Sequence, residues 1–387
     1  MRRRTKALMI LGALVLVSAV AGLILAPFSN DGPLLDENSN EIIASRSDSI
    51  PDDLYLTIML MGDMLPHDSV NLNAKTDSGY DYTPYFSNIQ STIDKADVLV
   101  CNQESPSAGE LYGVSGYPSF NAPTEFARDL SSVGCNAVSL ANNHSGDAGI
   151  GGLEATIDAW QTINPLAFNG TSKSGVQSSP SYFEVDGYQF AFIAYTDHQN
   201  RSLGNSFVND FDSALRLTRQ ASQEADFVIV SAHWGSEVNT SVLGSQSSQA
   251  AQLATAGADI ITGTGPHVLQ KSETIGKTTV FYSLGNMLST QLELDQLIGG
   301  IGIIELSKNN NQLKLETVSL LPTYMHYEWS AQQQAREDLL SRQNLNIFPL
   351  TDSAEQLTRA RYSQTVDELL EQVQETLGPN AKVIRSY

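Results

Sequence analysis

Five apolar runs in this chain each end on a side chain able to hold a metal ion or move a proton. No other feature of the sequence constrains the fold as tightly. The run at 54–61 closes on Gly62 and Asp63, and the run at 98–101 closes on Asn102, Gln103 and Glu104. Residues 138–141 lead straight into Asn142, Asn143 and His144, with Asp147 three positions on. The run at 227–231 reaches His233, and 259–262 is followed by Gly263, Thr264, Gly265, Pro266 and His267. Residues of these types are seldom fully buried without partners. In an open α/β sheet, however, ligands bind off the carboxyl ends of the strands, so these runs predict one shared cleft.

The stretches between the runs supply the rest of the architecture. Helices are expected near 84–95, 123–133, 152–161, 212–225 and 246–256, alternating with strands as a mainly parallel sheet requires. Asp186 and Gly187, set between two β-rich segments, are a hairpin signal. Segments around 278–288, 300–306 and 313–321 read as antiparallel strands. The expectation is an α/β fold of two stacked mixed β-sheets flanked by helices. Residues 331–387 are polar and helix-prone and read as a helical C-terminal tail, with Leu339, Leu340, Leu357, Leu369 and Leu370 at helical spacings.

The first 28 residues stand apart. Arg2, Arg3, Arg4 and Lys6 precede an uncharged apolar run over 7–28. About 20 such residues span a bilayer as a helix, and the basic flank places the amino terminus in the cytoplasm. The expectation is an N-terminal transmembrane helix, single-pass in the cell membrane with the main domain extracytoplasmic. A cleaved signal is the alternative, because Val17, Ser18 and Ala19 are small enough for cleavage. Residues 29–53, rich in Asn, Asp, Ser and Pro without periodicity, read as a linker. That leaves 54–330 as the main domain.

The 387 residues carry 43 Asp and Glu against 22 Lys and Arg, a formal net charge of −21. This excess argues against nucleic acid or an anionic membrane surface as the main partner. It would also repel a polyanionic polymer unless the cleft is locally positive. Cys101 and Cys135 are the only cysteines. An exported chain permits a disulfide between them; two buried free thiols are the alternative.

Asp63 and Glu104 offer hard oxygen ligands, and the imidazoles of His233 and His267 suit zinc, manganese or iron. A di-metal phosphoesterase also uses an Asn side-chain oxygen as a ligand, with a neighbouring His donating to a phosphoryl oxygen. Asn143 and His144 meet that need. Asp147 reads either as the carboxylate that orients His144 or as a helix N-cap. Asn142 reads as a substrate contact or as a brace for the turn. Trp234 and Glu237 would line the cleft, Trp234 having packing as its alternative. Asn286 closes another strand and is a candidate substrate contact. His198 is a weaker candidate for the cleft mouth, and His67 and His326 read as surface or loop residues.

In order, the motifs MGDML (61–65), NQES (102–105), NAPTEF (121–126), SLANNHSGDAG (139–149), SAHWGSE (231–237), GADIITGTGPHVLQ (257–270) and VFYSLGNM (280–287) resemble those of the CapA family of capsule-synthesis proteins. The resemblance implies the calcineurin-like metallophosphatase fold, a four-layer sandwich, and a role in poly-γ-glutamate capsules. It implies that Asp63 and His267 bind a first metal, Asn143 and His233 a second, with Glu104 bridging them and His144 as acid or transition-state donor. One position departs from the pattern. Family members usually carry a His two residues before the last one, where this chain has Gly265, so the second metal loses an imidazole.

The functional expectation is an exported, membrane-anchored, metal-dependent hydrolase with phosphoesterase-type chemistry and one or two divalent ions (Mn, Zn or Fe). Its substrate would be a capsule or cell-envelope polymer or a precursor, with membrane synthase or export subunits as partners. The alternative is a non-catalytic scaffold of such a complex, with a degraded metal site.

Overall fold

The computed structural model describes residues 55–309 and 312–387. The expected membrane helix over 1–28 and the linker over 29–53 lie outside the described residues. Among the described residues no helix is long and apolar enough to cross a membrane.

Strand β1 (Tyr55–Met64) is buried over almost its whole length, as a strand covered on both faces must be. Helix α1 (Asp68–Ala74), the small hairpin β2 (Lys75–Thr76) and β3 (Gly79–Tyr80), and α2 (Gln90–Ile93) carry the chain to β4 (Val98–Gln103). The helix expected over 84–95 is thus only a short turn, because Pro84 sits in a separate 3-10 segment. Helix α3 (Thr124–Ser132), β5 (Ala137–Ser139), α4 (Gly149–Ile163) and β6 (Ala167–Asn169) follow. Strands β1, β4, β5 and β6 are mutually parallel. Cys101 of β4 and Cys135, just before β5, form a disulfide that staples these neighbours. The question left open between bridge and free thiols is settled for the bridge.

The second sheet begins with the hairpin β7 (Ser181–Val185) and β8 (Tyr188–Thr196). Asp186 and Gly187 both take positive φ, as a tight hairpin turn demands. Helix α5 (Phe211–Glu224), capped by the Asp210 side chain on the Ser213 N–H, leads to β9 (Phe227–His233). Helix α6 (Gly244–Ala256) leads to β10 (Ile260–Thr264), then β11 (Ser272–Ile275) and β12 (Thr278–Phe281). The order is β11-β12-β10-β9-β8-β7.

Strand β13 (Asn286–Leu288) and helix α7 (Leu294–Leu297) return the chain to the first sheet, where β14 (Ile298–Asn309) and β15 (Gln312–Glu328) form a long antiparallel pair. Two expected orientations need correction. Strand β12 pairs parallel with β10 and antiparallel with β11, and β13 pairs parallel with β1. Partner choice here depends on distant strands, so the local pattern did not disclose it.

The C-terminal region also departs from a helical tail. Helices α8 (Ala331–Gln334), α9 (Ala354–Arg359) and α10 (Val366–Leu377) are present, but β16 (Gln343–Pro349) adds to β15, as does β17 (Lys382–Val383). Leu345 and Ile347 alternate inward and fix β16 as an edge strand, whereas Leu339 and Leu340 are exposed. Residues 331–387 therefore complete the first sheet, ordered β16-β15-β14-β1-β4-β5-β6.

Alternation along β8 and β9 shows how the layers form. Phe190, Phe192 and Ile229 join Leu60 of β1 in the core shared by both sheets. Ala191, Ile193, Val228 and Val230 face the opposite way, onto Leu217 of α5 and Leu253 of α6. On the other side, Trp160 of α4 donates to Gln103 of β4 at 2.9 Å, seating that helix on the first sheet.

Candidate metal centre

The carboxyl ends of β1, β4, β9 and β10 meet where the two sheets approach each other. Asp63, near the end of β1, is fully buried and accepts three hydrogen bonds. Asn102 Nδ2 donates to Oδ1 at 2.8 Å, while the Gly265 N–H and His267 Nδ1 donate to Oδ2 at 3.0 and 2.9 Å. Glu104 follows β4 and is also fully buried. Among the described residues neither of its carboxylate oxygens has a hydrogen-bond partner, and Oε1 lies 3.7 Å from both His233 Nε2 and His267 Nε2. His233 closes β9, its Nδ1 3.1 Å from Thr264 Oγ1 and 4.0 Å from Asp63 Oδ1. One ligand atom each from Asp63, Glu104 and His233 lies within 4.8 Å of the others.

Burial pushes the Asp63 carboxyl up, but the His267 hydrogen bond and the charges of His267 and His233 outweigh it and hold it down at about 2. Glu104 moves the other way: burial, then the charge of Asp63, raises it well above the ordinary carboxylate value. Burial drives His233 down to about 3 despite Asp63, which leaves its imidazole neutral and able to ligate. Burial also pulls on His267, yet the hydrogen bond and charge of Asp63 more than offset it and raise that ring.

Two carboxylates, two imidazoles and an amide oxygen are the donor set that a divalent transition ion takes. The orphaned oxygens of Glu104 and the buried, unpartnered Oδ1 of Asn143 give the fit. A buried polar atom without a partner is costly, and metal ligation would satisfy each of them.

Beside this cluster, the loop after β5 presents His144. Its Nδ1 donates to Asp147 Oδ2 at 2.7 Å, and Asp147 also accepts the Phe120 N–H at 2.7 Å. The N-cap of α4 is Ala148, with no side-chain cap, so Asp147 is the orienting carboxylate of its two readings. Asn142 spends its amide on the loop, accepting the His144 N–H and donating to the Gln103 carbonyl. It braces the turn.

The remaining candidates divide. Glu237 is exposed and lines an open cavity together with Asn143, His198 and His233. Trp234 touches the same cavity but is buried, donates to the Tyr282 carbonyl at 2.8 Å and stacks on the Tyr282 ring. Its main commitment is packing, so a substrate role for its indole is not what its contacts build. Asn286 is buried behind the centre, opposite Asp63 in the β1–β13 pairing, and donates to the Gln296 carbonyl. Its Nδ2 braces the chain behind the centre, while its buried Oδ1 has no partner among the described residues. His326 is buried in β15, not superficial.

Sequence reasoning missed several supporting groups. Asn102 and Thr264 brace Asp63 and His233, and Asn200 donates its N–H to the Asn143 carbonyl at 2.8 Å. Asn102 and Thr264 each lie two or three residues from a ligand, and that adjacency was the available signal.

Fold and site together define an α/β protein with a buried carboxylate–imidazole centre at the carboxyl ends of its strands. The chain belongs to the bacterial capsule synthesis protein PGA_cap family, whose profile matches residues 57–291. It is 30% identical over 174 residues to the PGA biosynthesis protein CapA of Bacillus subtilis (strain 168), covering 43% of this chain and 46% of that one. It is also 30% identical over 182 residues to the capsule biosynthesis protein CapA of Bacillus anthracis, covering 44% of each. Both matches span less than half of the relative's length. Among solved structures, the calcineurin-like phosphoesterase YfkN from Bacillus subtilis superposes with a TM-score of 0.42 at 15% identity, over 70% of this chain and 90% of that one.

Proposed function

We propose that this chain is a metal-dependent hydrolase with phosphoesterase-type chemistry, anchored in the cell membrane by residues 1–28. Its substrate would be an extracytoplasmic capsule or cell-envelope polymer or a precursor. The observation that carries this reading is Glu104, whose two buried oxygens stand without partners beside two imidazoles. A buried carboxylate of that kind is costly unless a cation answers it.

Asp63, Glu104, His233, His267 and Asn143 would hold one or two ions of Mn, Zn or Fe. Such ions, when bound, polarise a phosphoryl oxygen and bring the deprotonation of water close to neutral pH. Asp147 fixes the His144 ring through Nδ1, which leaves Nε2 as the atom for proton transfer. From there His144 donates to the oxygen on which charge develops. Phe120 packs edge-on to that ring and limits its movement.

The test is turnover of bis-p-nitrophenyl phosphate by the full-length chain loaded with Mn(II). His144→Ala is expected to lower kcat by about 10²–10⁴-fold with metal content unchanged. Wild-type turnover in the variant would sink the hydrolase reading. The second reading is a non-catalytic subunit of a polymer synthase or exporter, and Gly265, which brings no ligand, favours it. It predicts that His144→Ala leaves polymer output intact.

A further inference from the structure

At Gly265 the candidate centre has a gap, and a spare imidazole lies beside it. Gly265 takes φ +105, and a Cβ built there would lie 2.8 Å from the Trp234 carbonyl oxygen and 3.2 Å from His233 Nε2. A side chain at this position would strain the backbone and crowd that carbonyl. The space beside Gly265 is a cavity of about 410 Å³, lined by Asn143, His198, His233 and Glu237 among others. Asn143, whose buried Oδ1 has no partner among the described residues, is one of those lining residues.

His198 enters from the neighbouring strand. In the parallel β8–β9 pairing Thr196 lies opposite His233, and His198 follows two residues later. The backbone there is pinned: the Asp197 N–H donates to the His233 carbonyl at 2.9 Å, and Thr196 Oγ1 donates to the His198 carbonyl at 2.8 Å. The ring itself is exposed, and its centroid is 6.4 Å from that of His233. Two imidazoles sharing a tetrahedral ion at about 2.0–2.1 Å per nitrogen have centroids roughly 5 Å apart. The observed separation is wider than that, so the exposed His198 ring has to swing inward to share an ion with His233.

We propose that His198 is a metal ligand that replaces the imidazole absent at 265, completing a second-ion set with Asn143, His233 and Glu104. The proposal rests on the reading of the cluster as a metal centre. A second ion would otherwise have one imidazole, one amide oxygen and a shared carboxylate, and affinity follows ligand number and type. It also makes Gly265 a relocation of a ligand from the end of β10 to the end of β8, across β9.

The experiment counts Mn(II) or Zn(II) per chain in the full-length protein, stripped with chelator and reloaded, by mass spectrometry. Circular dichroism checks the fold of each variant. Two ions in the wild type and one in His198→Ala are expected, with affinity for the second ion at least about 10-fold weaker in the variant. Two tightly held ions in His198→Ala would overturn the proposal. One ion in both proteins would also overturn it while leaving a mononuclear centre standing. No ion in the wild type would remove the metal reading itself, and the proposal with it. His198→Asn gives a second variant of similar polarity for the same count.

Discussion

At the residue scale the centre depends on two carboxylates with opposite fates. Asp63 is ionised and triply hydrogen-bonded, so it is already satisfied before any ion arrives. Glu104 is equally buried and has no partner, and without metal its charge is a liability. The two therefore respond differently to substitution. In metal-free protein, Glu104→Gln is expected to leave the unfolding temperature unchanged or to raise it. In metal-replete protein the same change abolishes the stabilisation that ligation gives the wild type. Thermal unfolding with and without chelator checks both arms, and a Glu104→Gln variant still stabilised by metal would contradict the assignment. Asp63→Asn is destabilising in either state, because the amide cannot accept all the donors that converge on the carboxylate.

At the element scale, parallel strands bring distant residues to one end, and the sheet must hold those ends in register. The Cys101–Cys135 bridge does this for β4 and β5, joining positions 34 residues apart. Closing a loop of that size contributes about 4 kcal/mol on the chain-entropy account. A Cys101→Ser, Cys135→Ser double variant is expected to lose stability of that order in urea unfolding and to become insensitive to reductant. Equal stability of variant and wild type would show that the strands need no staple.

Much at this scale was legible in the sequence. The expected helices 123–133, 212–225 and 246–256 match α3, α5 and α6 within two residues at each end, because amphipathic periodicity is local. Asp63, Glu104, His233 and His267 were legible as well, since each interrupts or follows an apolar run. Strand β16 was not, because Asn344 and Asn346 interleave with its two buried residues in a polar, helix-prone stretch. The parallel setting of β13 on β1, the disulfide and the braces Asn102 and Thr264 are consequences of tertiary pairing, which no local pattern carries.

At the scale of the whole molecule, stability is tied to pH through imidazoles that folding desolvates. Burial, then the charge of Arg342, lowers His67 from 6.5 to about 3. Its Nδ1 lies 3.3 Å from the Leu65 carbonyl oxygen, a contact that favours the charged ring but is outweighed by burial. Between those two values the unfolded chain binds a proton that the folded chain does not. The contribution of His67 is therefore complete above about 6.5 and is lost as pH falls toward 3. His67→Gln is expected to flatten the fall of stability over this window, measured by urea unfolding at a series of pH values. Parallel profiles for variant and wild type would contradict it.

The cluster of Asp63, Glu104, His233 and His267 joins both sheets, and a bound ion would tie the two halves of the molecule together. Crystals of the protein soaked in Mn(II), with anomalous diffraction recorded, test that centre most directly. The account predicts an anomalous peak at ligand distance from a Glu104 carboxylate oxygen and a His233 nitrogen. No peak there, with Glu104 instead hydrogen-bonded to a neighbour in the neutral form, would contradict it.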